Sequence, residues 1–243
     1  MNTPSIVLVH GWGFDSSVWQ TLQIHLKETN TIAIDLPGYG EQKGNHTEWQ
    51  INHLAEDLIA RTPENAIWIA WSLGGLLALY IAANKTTHIT ALLTIAATPC
   101  FTQKPNWDCA MNAGTFTSFK QSYVDDKEQC LKSFRSLVSF GADSNIIKQT
   151  HSQTCDANSA TLLAGLQLLE QTDLRSSLKK IKCPSKFLFA DNDVLIPANT
   201  YKHPDLQSGS NETLLINNAS HALPISHPQL IRQQIEALIH ATH

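Results

Sequence analysis

Short apolar runs alternate along the chain with longer stretches that are rich in helix-forming residues. Apolar runs without polar alternation are typical of strands that are buried on both faces of a parallel sheet. They predict strands at 6–9, 31–34, 67–71, 91–95, 186–189 and 213–216. The stretches between and after them predict helices at 18–27, 49–61, 73–84 and 228–240. This alternation predicts a doubly wound α/β sheet.

One uncharged run, at 66–83, approaches the ~20 residues that a membrane-spanning helix needs. Its first part is rich in β-formers and its last part consists of good helix formers, with Ser-Leu-Gly-Gly at 72–75 between them. We therefore predict a buried strand, a sharp turn and a buried helix, and no association with a membrane.

The strand pattern stops between 101 and 172, where two amphipathic helices are the main features. The first, at 127–140, places Leu131, Phe134, Leu137 and Val138 on one face, and Gly141 is expected to end it. The second is predicted at 159–171.

An insertion of this kind has the apolar faces that a lid needs to close over an active site. We predict a helical lid at 101–172, inserted into an α/β core at 1–100 and 173–243. The alternative is a helical decoration with no role at the site.

Composition narrows the possible functions. The chain has 243 residues, 42% of them hydrophobic, which suits one α/β core. The net charge of −4 provides no basic field for nucleic acid. Five cysteines without a Cys-x-x-Cys pair, and histidines without metal-ligand spacing, predict no disulfide framework, no metal and no cofactor. The first residues do not resemble a signal peptide, so we expect a cytoplasmic protein.

The most informative motif is Ala-Trp-Ser-Leu-Gly-Gly at 70–75, where a predicted strand meets a predicted helix. In that context G-x-S-x-G forms a nucleophile elbow, whose tight turn exposes the serine Oγ. The motif predicts Ser72 as a nucleophile. Ala70 stands at the first glycine position, and we expect its single methyl group to be tolerated.

Three further loops follow predicted strands and supply the remaining parts of a serine hydrolase. His-Gly-Trp-Gly at 10–13 follows the first strand, where the α/β-hydrolase fold provides one oxyanion-hole donor, so we predict the Trp12 and Leu73 backbone N–H groups as that hole. An acidic loop at 191–197 and a histidine loop at 218–222 follow the last two strands. The chain order Ser, Asp, His is the order of this fold.

Two assignments within these loops have competitors. Asp191 and Asp193 both lie in the acidic loop, which resembles the acid loop of α/β hydrolases. That loop places the acid four residues before a proline, and the resemblance therefore favours Asp193. His221 directly follows a strand, whereas His227 precedes Pro228 at the start of the last helix and suits a helix-initiating turn. The predicted triad is therefore Ser72, His221 and Asp193.

The chain closely resembles the BioH family of biotin-pathway carboxylesterases. The resemblance is carried by His-Gly-Trp-Gly at 10–13, Ala-Ile-Trp at 66–68, Trp-Ser-Leu-Gly-Gly at 71–75, Pro-Cys-Phe at 99–101, Asp-Leu-Arg at 173–175 and Ser-His-Pro at 226–228. It implies hydrolysis of the methyl ester of pimeloyl-acyl carrier protein, which releases methanol. It also implies an α/β-hydrolase fold with the lid after the sixth core strand position.

The resemblance also implies where the substrate and its carrier bind. The acyl chain would contact Trp12, Ser72, Leu73 and His221, together with the lid residues Phe134, Arg135, Ser136, Leu137 and Val138. The acidic carrier would meet lid cations, which here include the lid's one arginine, Arg135, and the lysines Lys120, Lys127, Lys132 and Lys148. We expect a monomer.

Only about five residues precede the first strand, so two leading strands that are usual in the family are expected to be missing. Two other functions stay open: a short-chain carboxylesterase that needs no carrier, since fold does not fix substrate, and a hydrolase-like receptor that keeps the triad for ligand capture. A turnover assay would separate a receptor from either enzyme.

Overall fold

A six-stranded parallel sheet forms the centre of the protein. The computed structural model describes residues 4–85, 87–207, 209 and 211–242. The strand order is β2-β1-β3-β4-β5-β6. The strands are β1 (Ile6–Val9), β2 (Thr31–Ile34), β3 (Ala66–Trp71), β4 (Ile89–Ile95), β5 (Ser185–Ala190) and β6 (Asn211–Ile216). The α/β fold predicted from the alternation is confirmed.

Nine α-helices surround or cover this sheet in the described part of the chain. They are α1 (Gln20–His25), α2 (Ile51–Ala60), α3 (Leu73–Asn84), α4 (Ala113–Asp125), α5 (Lys127–Val138), α6 (Ser144–Ser152), α7 (Ser159–Gln171), α8 (Leu223–Ser226) and α9 (Pro228–Ala241). None of the described helices has both the length and the apolar character needed to cross a bilayer.

The central strands are buried on both faces, which explains their unbroken apolar sequence. Every residue of β1 and β3 is buried. Helix α3 is apolar on all sides because it is packed on all sides: ten of its residues are buried against the sheet and neighbouring helices. The uncharged run at 66–83 is therefore β3, a turn and the buried helix α3.

Register places the carboxyl ends of the strands level with one another. Val9 at the end of β1 pairs with Ala70, and Trp71 at the end of β3 pairs with Ile95. Within the described residues β2 is an edge strand and no strand precedes β1. With two leading strands added, β4 would take the sixth core position, and the insertion follows β4.

The segment 101–172 contains four α-helices where the sequence pattern predicted two. Helix α7 lies where it was predicted, and α5 ends at Val138, two residues early, with Ser139 as its C-cap. The prediction missed α4 and α6. Their N-caps are Asn112 and Asp143, whose side chains accept two backbone N–H groups each. The division into core and lid stays a prediction.

The first helix also differs from its prediction. The stretch 18–27 is divided into a 3₁₀ turn at Ser16–Trp19 and the short α1. The turn begins earlier than predicted because Asp15 caps it, accepting the Ser17 N–H.

Candidate active site

Four loops meet at the carboxyl edge of the sheet, and all the predicted catalytic residues lie on them. The loop after β1 carries Trp12, the turn after β3 carries Ser72, and the loops after β5 and β6 carry Asp193 and His221. This convergence follows from parallel strands, whose carboxyl ends lie at the same edge.

Ser72 occupies a sharp turn between β3 and α3. Its φ of 54° and ψ of −118° lie in a region that non-glycine residues rarely adopt and that costs of order 1–3 kcal/mol. Close packing around the turn requires small neighbours: a methyl group on Gly11 would lie 3.0 Å from Ser72 Cβ, and one on Gly75 would lie 2.3 Å from Ala97 Cβ. The strained backbone and crowded glycines are the features of a nucleophile elbow.

Asp193 and His221 form a buried hydrogen-bonded pair. His221 Nδ1–H donates to Asp193 Oδ2 over 2.7 Å, and both side chains are only 1% exposed. The other carboxylate oxygen, Oδ1, accepts the backbone N–H groups of Leu195 (2.8 Å) and Ile196 (3.0 Å). The carboxylate accepts all three of these hydrogen bonds. Its bond with the imidazole therefore keeps a proton on Nδ1 and fixes the tautomer and orientation of the ring.

The two competing residues lie elsewhere. Asp191 Oδ1 accepts the Ala219 N–H over 3.1 Å, and backbone N–H groups, that of Asn218 foremost, lower the pKa of this carboxyl. Asp191 thus joins the start of the loop after β5 to the loop after β6. His227 is the N-cap residue of α9, its Nδ1 lies 2.7 Å from Ser226 Oγ, and burial lowers its pKa.

The remaining imidazole nitrogen is available for chemistry. His221 Nε2 is buried and has no hydrogen-bond partner among the described residues. It borders the same cavity as Ser72, which is 6% exposed. Catalytic hydrogen bonds of ligand-free enzymes often tighten only when substrate binds. The arrangement lets His221 accept a proton from a nucleophile at Ser72.

The predicted oxyanion-hole donors border the same turn. Leu73 is the first residue of α3, whose N-terminus carries a partial positive charge. Within the described residues neither the Leu73 nor the Trp12 N–H donates to another backbone group. Gly74 explains their proximity: a methyl group there would lie 2.5 Å from the carbonyl oxygen of His10, so only glycine lets α3 approach the end of β1 this closely.

His10 fixes the loop that carries Trp12. Its Nδ1–H donates to the Gly11 carbonyl over 2.8 Å, and its Nε2 accepts the Leu36 N–H over 3.0 Å. Burial lowers the pKa of His10, which keeps the ring neutral and the acceptor available. The motif histidine is therefore a structural residue of the loop.

An apolar cavity of about 140 Å³ leads to Ser72 and His221. Of the predicted substrate-contacting residues, the structure brings Trp12, Phe134 and Leu137 to its wall. Sequence reasoning missed several other lining residues, which come from the segment 101–172 and the acidic loop: Phe101, Met111, Thr115, Phe116, Phe119, Leu166, Leu169, Val194 and Leu195.

Three predicted contact residues do not line this cavity, and neither does the Leu73 side chain. Ser136 is exposed on α5, where its Oγ lies 3.3 Å from His151 Nε2 on α6. Val138 is fully buried, and its carbonyl accepts the Ala222 N–H beside His221. Arg135 donates from Nη1 to Leu131 O and from Nη2 to Gln153 O, which directs its charge into the segment 101–172 itself.

One positioning contact had no signal in the sequence. Trp71 Nε1–H donates to the His221 carbonyl over 3.0 Å, across 150 positions of chain. Its indole also packs against the imidazole, with ring centroids 5.6 Å apart. Among the described residues no group of three or more potential ligands is arranged to hold a metal ion.

A model of the alpha/beta hydrolase family matches residues 6–234. The chain belongs to the alpha/beta hydrolase family. Two relatives of this hydrolase are named pimeloyl-[acyl-carrier protein] methyl ester esterase. One, from Xylella fastidiosa, is 34% identical over 97% of this chain and 95% of its own. The other, from Edwardsiella ictaluri, is 33% identical over 92% and 88%. The resemblance stated from the motifs is confirmed.

Solved structures show the same fold at lower sequence identity. An esterase from Exiguobacterium antarcticum superposes on this hydrolase with a TM-score of 0.86, at 19% identity over 98% of this chain and 92% of that one. A hydrolase from Oleispira antarctica gives 0.87, at 19% identity over 99% and 92%.

Proposed function

We propose that this hydrolase is a serine carboxylesterase that cleaves the methyl ester of pimeloyl-acyl carrier protein, giving pimeloyl-acyl carrier protein and methanol in biotin biosynthesis. The observation that carries the proposal is the buried Asp193–His221 pair, whose free Nε2 shares an apolar cavity with Ser72. The relatives' names supply the substrate. A cytoplasmic location and a monomeric state remain predictions.

In the first half-reaction Ser72 Oγ attacks the ester carbonyl while His221 Nε2 takes its proton. Asp193 stabilises the imidazolium through the 2.7 Å hydrogen bond. The Trp12 and Leu73 N–H groups hold the oxyanion, and losing one such donor costs about 3 kcal/mol in comparable sites. The carbon–methoxy bond then breaks, and His221 returns the proton to methanol.

In the second half-reaction water attacks the acyl-enzyme. His221 takes a proton from that water, the same N–H groups hold the second oxyanion, and the bond to Ser72 Oγ breaks as the proton returns to the serine. The product is the free ω-carboxylate with the carrier thioester intact.

Placement decides which of the two acyl bonds is cleaved. The carrier is too large for a cavity of about 140 Å³, so it stays outside while the acyl chain runs beneath the lid. The lining rings of Trp12, Phe116, Phe119 and Phe134 suit methylene groups, each of which contributes about 0.8 kcal/mol when buried. A chain of matching length therefore brings its far end, the methyl ester, to Ser72. The segment 101–172 acts as the lid.

Mass spectrometry of the carrier-bound methyl ester tests this proposal. Incubation with the protein should give a product lighter by one methylene, still attached to the carrier, and a Ser72→Ala variant should give none. Release of free carrier would show thioester cleavage and contradict the proposal. So would inertness toward the carrier-bound ester in a preparation that turns over short free esters.

Turnover of short free esters without turnover of the carrier-bound ester would favour a carboxylesterase that needs no carrier. One observation supports that alternative: the only arginine of the segment 101–172 is bound to the carbonyls of Leu131 and Gln153 rather than directed outward. If the proposed carrier does bind, its recognition depends on lysines instead of Arg135. Lys132, which is exposed on α5, is one of them.

Charge reversal should separate the roles of these two cations. Lys132→Glu should slow hydrolysis of the carrier-bound ester and spare a small soluble ester, and the loss should shrink at high salt, because screening weakens steering of an acidic carrier. Arg135→Glu should lower the free energy of unfolding by about 1–3 kcal/mol, since its hydrogen bonds inside the lid are lost. Equal effects of Lys132→Glu on both substrates would contradict electrostatic steering.

A further inference from the structure

The indole of Trp12 is held by three helices of the segment 101–172. Its Nε1–H donates to the Leu162 carbonyl of α7 over 2.7 Å, and its side chain is buried. Edge-to-face contacts surround the ring, with centroids 4.7 Å from Phe134 on α5, and 5.7 Å and 5.9 Å from Phe119 and Tyr123 on α4. The residue that bears one proposed oxyanion-hole N–H thus belongs to the packing of the lid.

Gly165 on α7 lets the indole lie this close. A methyl group on Gly165 would lie 2.9 Å from Trp12 Cδ1 and 3.4 Å from Nε1, and 3.3 Å from the ring of Trp49 on its other side. A glycine inside a helix lowers helix stability by about 1 kcal/mol relative to alanine. Helix α7 carries this glycine where it faces the Trp12 and Trp49 indoles, three residues after the carbonyl that accepts the Trp12 hydrogen bond.

We propose that α7 positions the oxyanion hole through Trp12: the Leu162 carbonyl and the space left by Gly165 set the indole, and the indole, together with the His10 hydrogen bond to the Gly11 carbonyl, sets the direction of the Trp12 N–H. This inference rests on the proposed esterase function. Leu162 and Gly165 are positioning residues, because they act on the reacting atoms only through Trp12. A displacement of α7 would carry Trp12 with it, so the hole is complete only while α7 lies over the site.

Two observations show that the backbone is held in place on both sides of Trp12. The loop on the N-terminal side of Trp12 is fixed by His10, whose ring hydrogen bonds to the Gly11 carbonyl and the Leu36 N–H. Gly13, on the other side, has a φ of 73° and leaves room for the Phe134 ring, 3.2 Å from where its methyl group would lie. The Gly11 carbonyl and the Trp12 N–H belong to one planar peptide group. A movement of the indole that displaces this N–H must therefore also strain the His10 hydrogen bond to the Gly11 carbonyl.

A Gly165→Ala variant tests the proposal with p-nitrophenyl acetate, a small ester that does not need the carrier. The kcat per active site, counted by end-point fluorophosphonate labelling, should fall about tenfold, since misplacements of a fraction of an ångström weaken a preorganised site. KM should change by less than about twofold, because an oxyanion donor acts mainly in the transition state. Gly114→Ala on α4, whose methyl group would meet only the Asn112 side chain, is the matched control.

A double-mutant cycle identifies the route of the effect. In a Trp12→Ala background the added methyl group no longer meets the Trp12 indole, and only its effect on Trp49 remains, so Gly165→Ala should change kcat by less than about twofold. If Trp12→Ala does not fold, Trp12→Phe replaces it as the second measurement: it removes the Nε1–H, and kcat should fall while KM is retained.

Three outcomes would overturn the inference. They are an unchanged kcat in Gly165→Ala, an equal loss in the Trp12→Ala background, and a wild-type kcat in Trp12→Phe. Failure of the serine esterase chemistry on which the inference rests gives a different result, because the wild-type protein itself would then neither hydrolyse p-nitrophenyl acetate nor react with the fluorophosphonate. Failure on the carrier-bound ester alone leaves this test unaffected, because p-nitrophenyl acetate needs no carrier.

Discussion

Replacing Ser72 with alanine is expected to lower kcat for ester hydrolysis by roughly 10⁴- to 10⁶-fold, and His221→Ala should cost about as much. The reason is that nucleophile and base act as one unit: without His221 Nε2 the Ser72 hydroxyl keeps its proton, and without Ser72 the imidazole has nothing to activate in the first step. Asp193→Asn should lower kcat roughly 10⁴-fold, because an amide in place of the carboxylate no longer imposes the required tautomer on His221.

The measurement is kcat on a soluble ester, with circular dichroism and thermal unfolding to show that each variant is folded. Asp191→Asn is the matched control, because it changes a carboxylate two residues away that contacts the Ala219 N–H instead of the imidazole. Its kcat should stay within about tenfold of wild type. A larger loss in Asp191→Asn than in Asp193→Asn would move the acid two residues upstream, and full activity in Ser72→Ala would refute the assignment of the nucleophile.

Combining two of these variants tests whether Ser72 and His221 act as one unit. The Ser72→Ala, His221→Ala double variant should be no slower than Ser72→Ala alone within about a factor of ten, since the second substitution removes a partner that no longer has a function. Multiplying losses would indicate that the two side chains contribute independently.

The parts of this site that could be predicted from sequence are those that depend on local chain geometry. An apolar strand followed by Ser-Leu-Gly-Gly predicts an elbow at Ser72 because few other residues fit such a turn. The positions of β1, β3 and β5 follow from their burial on both faces. Once the strands are parallel, the loops after them must meet at one edge.

The parts that could not be predicted depend on packing between distant segments. The hydrogen bond from Trp71 to the His221 carbonyl and the one from Trp12 to the Leu162 carbonyl each join residues 150 positions apart. Arg135 was expected to face a carrier, but the carbonyl of Gln153 lies within its reach. Helix α4 could not be predicted from the hydrophobic pattern, because most of its residues are exposed and only Phe116 and Tyr123 are buried.

A Gly74→Ala substitution is expected to reduce both stability and activity. Its methyl group would lie 2.5 Å from the His10 carbonyl oxygen and 2.7 Å from that of Val9. Both are backbone atoms at the end of β1, so no change of rotamer relieves the clash and α3 must move away from the strand. Such overpacking costs about 1–3 kcal/mol of unfolding free energy, measurable by urea denaturation.

The loss of activity should be larger than the loss of stability suggests. Helix α3 begins with the Leu73 N–H, and the chain leaving β1 carries the Trp12 N–H, so a shift between the two separates the proposed donors. We expect kcat per folded molecule to fall about 100-fold, with KM much less affected. Gly44→Ala, where a methyl group would meet no atom within 4 Å, should change neither quantity. A Gly74→Ala protein that loses stability but keeps its kcat would show that the oxyanion hole does not depend on the close approach of α3 to β1.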